Sequence, residues 1–252
     1  MTVSGARFRL LTYNILRGGV GREALLIDVI NLVNPDLVLL QEATSPSVVA
    51  RLAVGTGLAT WGAHPRRSLA FLSRAPVAHH QWRRPRFSRH AFLEVVPNES
   101  LPRFFGLHLS AIHAAWTERR RLFELDALLK SIAHHQAGFH VLAGDFNTLA
   151  PNEPLDIDRL PLRLRPFVWM SGGRIRWRTI QAVLDAGYAD VYRALHDEGR
   201  PTFPTSHSHL RLDYVFVPSA STDRVISCDV VDHPLAKAAS DHFPVVADFR
   251  RE

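Results

Sequence analysis

Cysteine occurs once, at Cys228. A single thiol excludes an intrachain disulfide framework and any multi-cysteine zinc site, and it suits a chain made for a reducing compartment. Long apolar runs are missing too. Met1 to Leu16 lacks the continuous apolar stretch of a signal sequence, and no later segment is long enough to cross a bilayer. Together these absences predict a soluble, cytoplasmic protein. Lysine is scarce: Lys130 and Lys237 are the two in the chain, so a net charge of +6 rests almost entirely on arginine. A planar guanidinium donates two parallel hydrogen bonds and so suits phosphate.

With 46% hydrophobic and 21% charged residues, the 252-residue chain can bury a sizeable core, and we expect one domain over 1–252, as a monomer. Six arginines and no acid lie between Arg159 and Arg178, and Arg83, Arg84, Arg86 and Arg89 form a second cluster. Such local surplus fits a polyanionic partner, and equally a solvated face.

The stretch His140-Val141-Leu142-Ala143-Gly144-Asp145-Phe146-Asn147 reads as a buried strand that delivers Asp145 and Asn147 at its exit. Side chains two apart on an extended segment share a side, so a carboxylate and an amide would face one surface at a strand's C-terminal edge. Gly, Asp and Asn are also turn formers. The same pattern recurs, however. Phe8 to Tyr13 reads as a strand ending at Asn14, followed by a loop at Arg17-Gly18-Gly19. Leu25, Leu26, Val29, Ile30 and Val33 recur at helical spacing until Asn34-Pro35-Asp36, and Leu37 to Leu40 then delivers Gln41 and Glu42. Strand, helix and strand in that order put Asn14 and Glu42 at one edge, where a carboxylate suits a hard cation.

Leu69 to Ser73, and the pair Ala91 to Val96 and Arg103 to Leu109, also read as strands, the last ending in His108. Thr117 to His135 reads as a helix capped by Thr117 and striped by Leu122, Leu125, Leu129 and Ile132, with a solvated start at Arg119-Arg120-Arg121. Pro151 to Pro166 carries four prolines and reads as a surface excursion, with helices expected at Thr179 to Ala186 and Asp190 to Leu195. His207 and His209 have the spacing of a metal pair within a Ser- and Thr-rich loop, a spacing that fits loop decoration as well. Arg211 to Val217 is a strand with Asp213 at its apolar start, where an unpaired carboxylate is unfavourable. His242, in Ser240-Asp241-His242, could donate a ring N–H to it while Asp241 faces the cation, and Val245 to Phe249 would close the sheet.

Tyr13-Asn14-Ile15, Leu40-Gln41-Glu42, His108-Leu109, Gly144-Asp145-Phe146-Asn147, Arg211-Leu212-Asp213-Tyr214 and Ser240-Asp241-His242-Phe243-Pro244 follow the order found in the endonuclease/exonuclease/phosphatase superfamily, which the chain resembles over nearly its whole length. That superfamily includes deoxyribonucleases, abasic-site endonucleases, sphingomyelinases, inositol-polyphosphate phosphatases and tyrosyl-DNA phosphodiesterases. The resemblance implies an α/β (α+β) fold, a four-layer αββα sandwich of two mixed sheets flanked by helices, with the site at one end. It implies Mg2+, or Mn2+, held by Glu42 with Asn14 and Asp241. It also implies Asp145 acting on the attacking water, Asn147 holding a phosphoryl oxygen, His242 paired with Asp213, and His108 donating to phosphate or assisting the leaving group.

Two departures stand out. Arg66-Arg67-Ser68 occupies the place where deoxyribonucleases carry a Glu that supports the histidine equivalent to His108, which leaves the partner of His108 open. Ala43-Thr44 follows Glu42 in place of the lysine-bearing motif of abasic-site enzymes. The expected activity is therefore divalent-metal-dependent hydrolysis of nucleic-acid phosphodiesters, with Trp169 and Trp177 available for base stacking. A phosphatase or phosphodiesterase for a small or lipid head-group phosphoester, and a catalytically silent binding module, are the alternatives.

Overall fold

A computed structural model describes residues 7–86, 88, 90–98, 101–111, 115–135, 138–153, 156–159, 162, 165–170 and 178–251. In chain order, the first part runs β1 (Arg7–Asn14), α1 (Glu23–Val33), β2 (Leu37–Gln41), α2 (Pro46–Thr56), β3 (Thr60–Ala63) and β4 (Leu69–Ser73). Then follow β5 (His79–Arg83), β6 (Phe92–Val96), β7 (Arg103–His108), α3 (Ala115–Ser131), β8 (His140–Asp145), α4 (Arg165–Met170) and α5 (Arg178–Asp185). The chain ends with β9 (Tyr188–Asp190), α6 (Val191–Leu195), β10 (Asp213–Pro218), β11 (Val225–Val230), α7 (Pro234–Ala239) and β12 (Val245–Arg250).

The strands form two six-stranded sheets, ordered β11-β12-β1-β2-β4-β3 and β5-β6-β7-β8-β10-β9. Each is built around one parallel pair, β1 with β2 and β7 with β8, flanked by antiparallel strands. That arrangement places the site. Both parallel pairs exit at one end, with Asn14 opposite Gln41 and His108 opposite Asp145, while the antiparallel neighbours start there. Thus Asp213, the first residue of β10, lies opposite Asp145, and β12 begins opposite Thr12, shortly after His242.

Alternation along the strands sorts the core. Phe104, Val141 and Val215 join the cluster shared with the first sheet and α1, whereas the adjacent Phe105, Leu142 and Phe216 pack outward against Leu125, Leu128 and Ile132 of α3 and Ile180 and Val183 of α5. Two mixed sheets with helices outside give the expected four-layer sandwich.

Several expectations shift. Helix α3 starts at Ala115, so Thr117 lies in its first turn and does not cap it, and it ends at Ser131 before a short 3-10 turn at Ala133–His135. Its buried stripe is Leu125, Leu128 and Ile132, with Leu122 and Leu129 partly buried. Arg121 is fully buried, its guanidinium donating to Glu118 and to the Ser110 carbonyl. An arginine four residues before Leu125 falls on the apolar face, so charge adjacency misleads where helical phase does not. Asp190 ends strand β9 and caps α6 by accepting from the Arg193 N–H. β12 pairs with β1 and β11 on its two sides, so the sheet ends at β11. Strands β3, β5 and β11 escape a sequence reading because they are short or turn exposed residues such as His79, His80 and Gln81 outward.

Candidate active site

Asp145 sits at the centre, 1% exposed at the end of β8. Its delivery depends on Gly144, whose φ is +150° and where an added Cβ would lie 2.0 Å from the Leu107 carbonyl oxygen of the neighbouring strand. Only glycine tolerates that approach. The Asn147 backbone N–H donates to Asp145 Oδ1 at 2.8 Å and the Asn14 amide donates to Oδ2 at 3.0 Å. Asn147 itself donates from Nδ2 to the Leu109 carbonyl, 3.1 Å away.

Two imidazoles flank the carboxylate. Nε2 of His108 lies 3.9 Å from Asp145 Oδ2, and Nε2 of His242 lies 4.0 Å from the same oxygen. Their far nitrogens are held differently. His242 Nδ1 donates to Asp213 Oδ2 at 2.8 Å, and that carboxylate also accepts the Thr202 hydroxyl at 2.6 Å. His108 Nδ1 lies 3.0 Å from the hydroxyl of Ser68. The partner of His108 therefore comes from Arg66-Arg67-Ser68, the stretch in which the resemblance leads us to expect a supporting acid. Ser68, half-buried, and Thr202, buried, are the residues a motif reading misses, since a lone hydroxyl carries no sequence pattern of its own. Phe203 packs on the His242 ring, with centroids 4.7 Å apart.

Burial pushes the Asp145 carboxyl up to about 7, although the His242 charge and the Asn14 hydrogen bond oppose the rise. Burial alone would depress His242, but the charges of Asp213 and Asp145 and the hydrogen bond to Asp213 outweigh it and raise the ring to about 10. His108 moves the other way: burial lowers it to about 4, the His242 charge adds to that, and the Glu42 and Asp213 charges resist.

Glu42 and Asp241 lie on the first-sheet side. Glu42 holds a positive φ of 56°, its Oε2 accepts the Arg17 N–H at 2.6 Å, and its Oε1 is 3.4 Å from the Asn14 amide nitrogen. Asn147 also has a positive φ, 53°; left-handed backbone at two non-glycine residues stores roughly 1–3 kcal/mol each. Asp241 Oδ1 is buried and has no hydrogen-bond partner among the described residues. Burial raises the Asp241 carboxyl, with the His242 charge opposing and the Glu42 charge adding. A buried orphan oxygen near a second carboxylate gives oxygen donors that fit a hard divalent cation, while Asn14, expected as a further ligand, turns its amide nitrogen to Glu42 and Asp145 and accepts the Leu16 N–H at Oδ1, 3.0 Å away. Asp145, Asp213 and His242 also bring one ligand atom each within 4.8 Å of one another, but the last two are committed to their mutual bond.

The eight residues singled out from sequence, Asn14, Glu42, His108, Asp145, Asn147, Asp213, Asp241 and His242, thus converge on one end of the sandwich. Of the other histidine pairs in the sequence, His207 and His209 stack on each other at 5.6 Å and His134 and His135 lie in the 3-10 turn after α3, while the ring of His90 packs against His108 with centroids 5.4 Å apart. Trp177, Arg89, Arg163, Arg174 and Arg176 lie outside the described residues, and Trp169 is exposed on α4. No helix among the described residues is long and apolar enough to cross a membrane.

The fold is shared with solved structures. An AP endonuclease from Archaeoglobus fulgidus matches with a TM-score of 0.71 at 18% identity, covering 96% of this chain and 99% of that one. The 3′ phosphatase NExo from Neisseria, bound to a product DNA hairpin, matches with 0.70 at 18% over 96% and 99%. TDP2 from D. rerio, complexed with single strand DNA product, matches with 0.66 at 17% over 97% and 99%. No curated protein sequence matches the chain. The sequence model of the endonuclease/exonuclease/phosphatase family matches residues 11–242, from the middle of β1 to His242, and the chain belongs to that family of phosphoester hydrolases.

Proposed function

We propose that the protein is a Mg2+-dependent phosphodiesterase acting on nucleic acid, folded as one domain to which both sheets contribute catalytic groups. The observation that carries this reading is the pairing of two imidazole Nε2 atoms, 3.9 and 4.0 Å from one oxygen of Asp145, with an orphan carboxylate oxygen on Asp241. A phosphoryl group has oxygens for both rings, and Asp145 is left to face the attacking water. Asp145 orients that water and takes its proton as the new P–O bond forms and the leaving P–O bond breaks. The elevated carboxyl makes it a better base near neutral pH than an exposed aspartate would be.

His242, held by Asp213, offers a charged Nε2–H to the charge that develops on phosphorus oxygens, and His108 and Asn147 add neutral donors. One positioned acid or base gives roughly 10²–10⁴-fold, which is short of what phosphodiester hydrolysis requires. Glu42 and Asp241, with Asn14 orienting Glu42, would hold the cation, which when bound supplies Lewis acidity and charge neutralisation toward a phosphoryl oxygen. Magnesium is the natural ion for so few carboxylates, and manganese shares their geometry.

Nucleic acid is favoured by the basic composition, by exposed Arg17 and Arg66 beside Glu42 and Ser68, and by the DNA products held by two of the similar structures. A smaller phosphoester is the alternative on size alone: a cavity of about 400 Å³ opens beside the loop after Asn147, lined by Glu153, Asp197 and Glu198 as well as Arg193, His209 and Arg211. That is large enough for a single head group or nucleotide. Purified protein with Mg2+ or Mn2+, offered abasic duplex, single strands, RNA and soluble phosphomonoesters, separates the two. Cleavage of strands with binding that weakens steeply as salt rises is expected; turnover of phosphomonoesters alone would select the second reading.

A further inference from the structure

We propose that Ser68 sets the tautomer of His108, so that the ring turns a neutral Nε2–H toward the cleft as a fixed hydrogen-bond donor. The inference deepens the functional reading of the same site and rests on it for its catalytic meaning. Ser68 immediately precedes β4, and its carbonyl accepts the Ala43 N–H at 3.0 Å, which ties it to the backbone leaving Glu42 on the first sheet. His108 ends β7 on the second. The 3.0 Å contact between Ser68 Oγ and His108 Nδ1 therefore bridges the sheets at the mouth of the site.

A hydroxyl can give or accept, so this contact alone fixes no proton. The other nitrogen decides. Nε2 faces Asp145 Oδ2 at 3.9 Å, and a lone pair there would oppose a carboxylate, whereas an N–H is attracted to it. With the proton on Nε2, Nδ1 carries the lone pair and Ser68 donates its O–H into it. Both groups are then satisfied without any charge on the ring. Burial, which lowers His108 to about 4, keeps it in that neutral state although the Glu42 and Asp213 charges resist.

His242 is the opposite case. Asp213 accepts only, so it demands a proton on Nδ1, and the ring can carry a second on Nε2. A carboxylate in place of Ser68 would impose the same demand on His108. Replacing that acid by a hydroxyl therefore turns one histidine of the pair from a chargeable group into a neutral donor, suited to hold a phosphoryl oxygen and unsuited to protonate a leaving group. Ser68 is thereby a positioning residue that acts through His108.

Two-bond ¹H–¹⁵N correlation spectra of ¹⁵N-histidine-labelled, metal-free protein read the tautomer directly, with His108→Asn assigning the ring. The wild type and Ser68→Thr are expected in the Nε2–H form, and Ser68→Asp in a form protonated at Nδ1. Ser68→Ala is expected to lose the single-tautomer pattern and lower kcat/KM about five- to tenfold, the scale of one neutral hydrogen bond, with Ser68→Thr restoring the rate. A wild-type ring protonated on Nδ1 alone, or a pattern unchanged in Ser68→Asp, overturns the proposal. The spectra report on Ser68 whether or not a substrate is turned over, so a wild type inactive on every phosphoester would refute the functional reading separately.

Discussion

Arg211 and Asp213 are two residues apart, yet they belong to two kinds of buried charge. The Arg211 guanidinium donates to both oxygens of Asp190, at 3.0 and 2.6 Å, and to Glu153, and it lies 4.4 Å over the ring of Tyr214. Tyr214 in turn donates to the Arg211 carbonyl at 2.8 Å. Arg121 is enclosed in the same way by Glu118 and Ser110, while the second oxygen of Glu118 accepts the backbone and hydroxyl of Thr179 at the start of α5. These networks are closed: each charge meets its opposite, and they tie the loops after β7 and β8 to the helices behind them. At the site, by contrast, Asp241 keeps an orphan oxygen and burial lifts both Asp145 and Asp241. Burial raises Glu153 as well, so it is the missing partner of the Asp241 oxygen, more than burial or charge, that sets this carboxylate apart from the networks around Arg211 and Arg121.

The widest separation between the two kinds should come from activity. Glu42→Ala and His242→Ala are each expected to lower hydrolysis by at least roughly 10²–10⁴-fold; Glu42→Ala should keep the thermal midpoint by circular dichroism, whereas His242→Ala, which leaves buried Asp213 without its charged partner, should lower the midpoint while keeping the folded spectrum. Activity retained in either variant would remove that residue from the catalytic set. Arg211→Met should do the reverse. It leaves Asp190 and Glu153 buried without their counter-charge, and urea unfolding should report a loss of roughly 3–5 kcal/mol. A loss below about 1 kcal/mol would mean the network is not the closed unit described here.

How much of this was readable beforehand divides along the same line. Asn14, Asp145 and Asp213 could be located because each ends or starts an apolar strand, and Glu42 because it directly follows one, places where a polar side chain needs a reason; His242, ahead of β12, could be sought as the donor that Asp213 needs. The sandwich was implied by the family resemblance that the motifs around these residues carry, and the alternation of neighbours such as Phe104 and Phe105 between its layers agrees with it. The closed networks left no such trace. Arg121 stands in a run of three arginines that reads as solvated, and only its helical phase with Leu125 betrays it. Glu118 and Thr179, 61 positions apart, meet through tertiary packing, which no local pattern encodes. Ser68 is the instructive case: the missing acid was visible, but a hydroxyl able to replace it is indistinguishable in sequence from any loop serine.

A smaller effect tests the sign of the comparison. Asp241→Asn removes an ionisable group from a buried place with no partner for Oδ1, so metal-free protein should gain on the order of 1 kcal/mol, where Arg211→Met loses stability. Millimolar Mg2+ should then raise the midpoint of the wild type, because a ligand that binds only the folded state stabilises it, and should leave that of Asp241→Asn nearly unmoved. Equal Mg2+ responses in the two proteins would take Asp241 out of the cation site.

The finest test lies at Thr202, where a closed hydrogen-bond arrangement meets the site. Its hydroxyl is fully buried, donates to Asp213 Oδ2 at 2.6 Å and accepts the Leu212 N–H at 3.0 Å, so it belongs to the scaffold by burial and to the site by its partner. The Asp213 N–H also donates to it at 3.3 Å, and Thr202→Val keeps the shape and removes all three bonds. If the hydroxyl serves the scaffold alone, the variant loses about 1 kcal/mol of stability and no activity. If it also steadies the carboxylate that holds His242, kcat falls up to roughly tenfold with KM unchanged, since one net hydrogen bond is worth that much in rate and the interaction strengthens as the imidazolium comes to bear on the reacting phosphate. We expect the second outcome, and an unchanged kcat beside a lowered midpoint would place the boundary between scaffold and site one residue inside Thr202, at Asp213 itself.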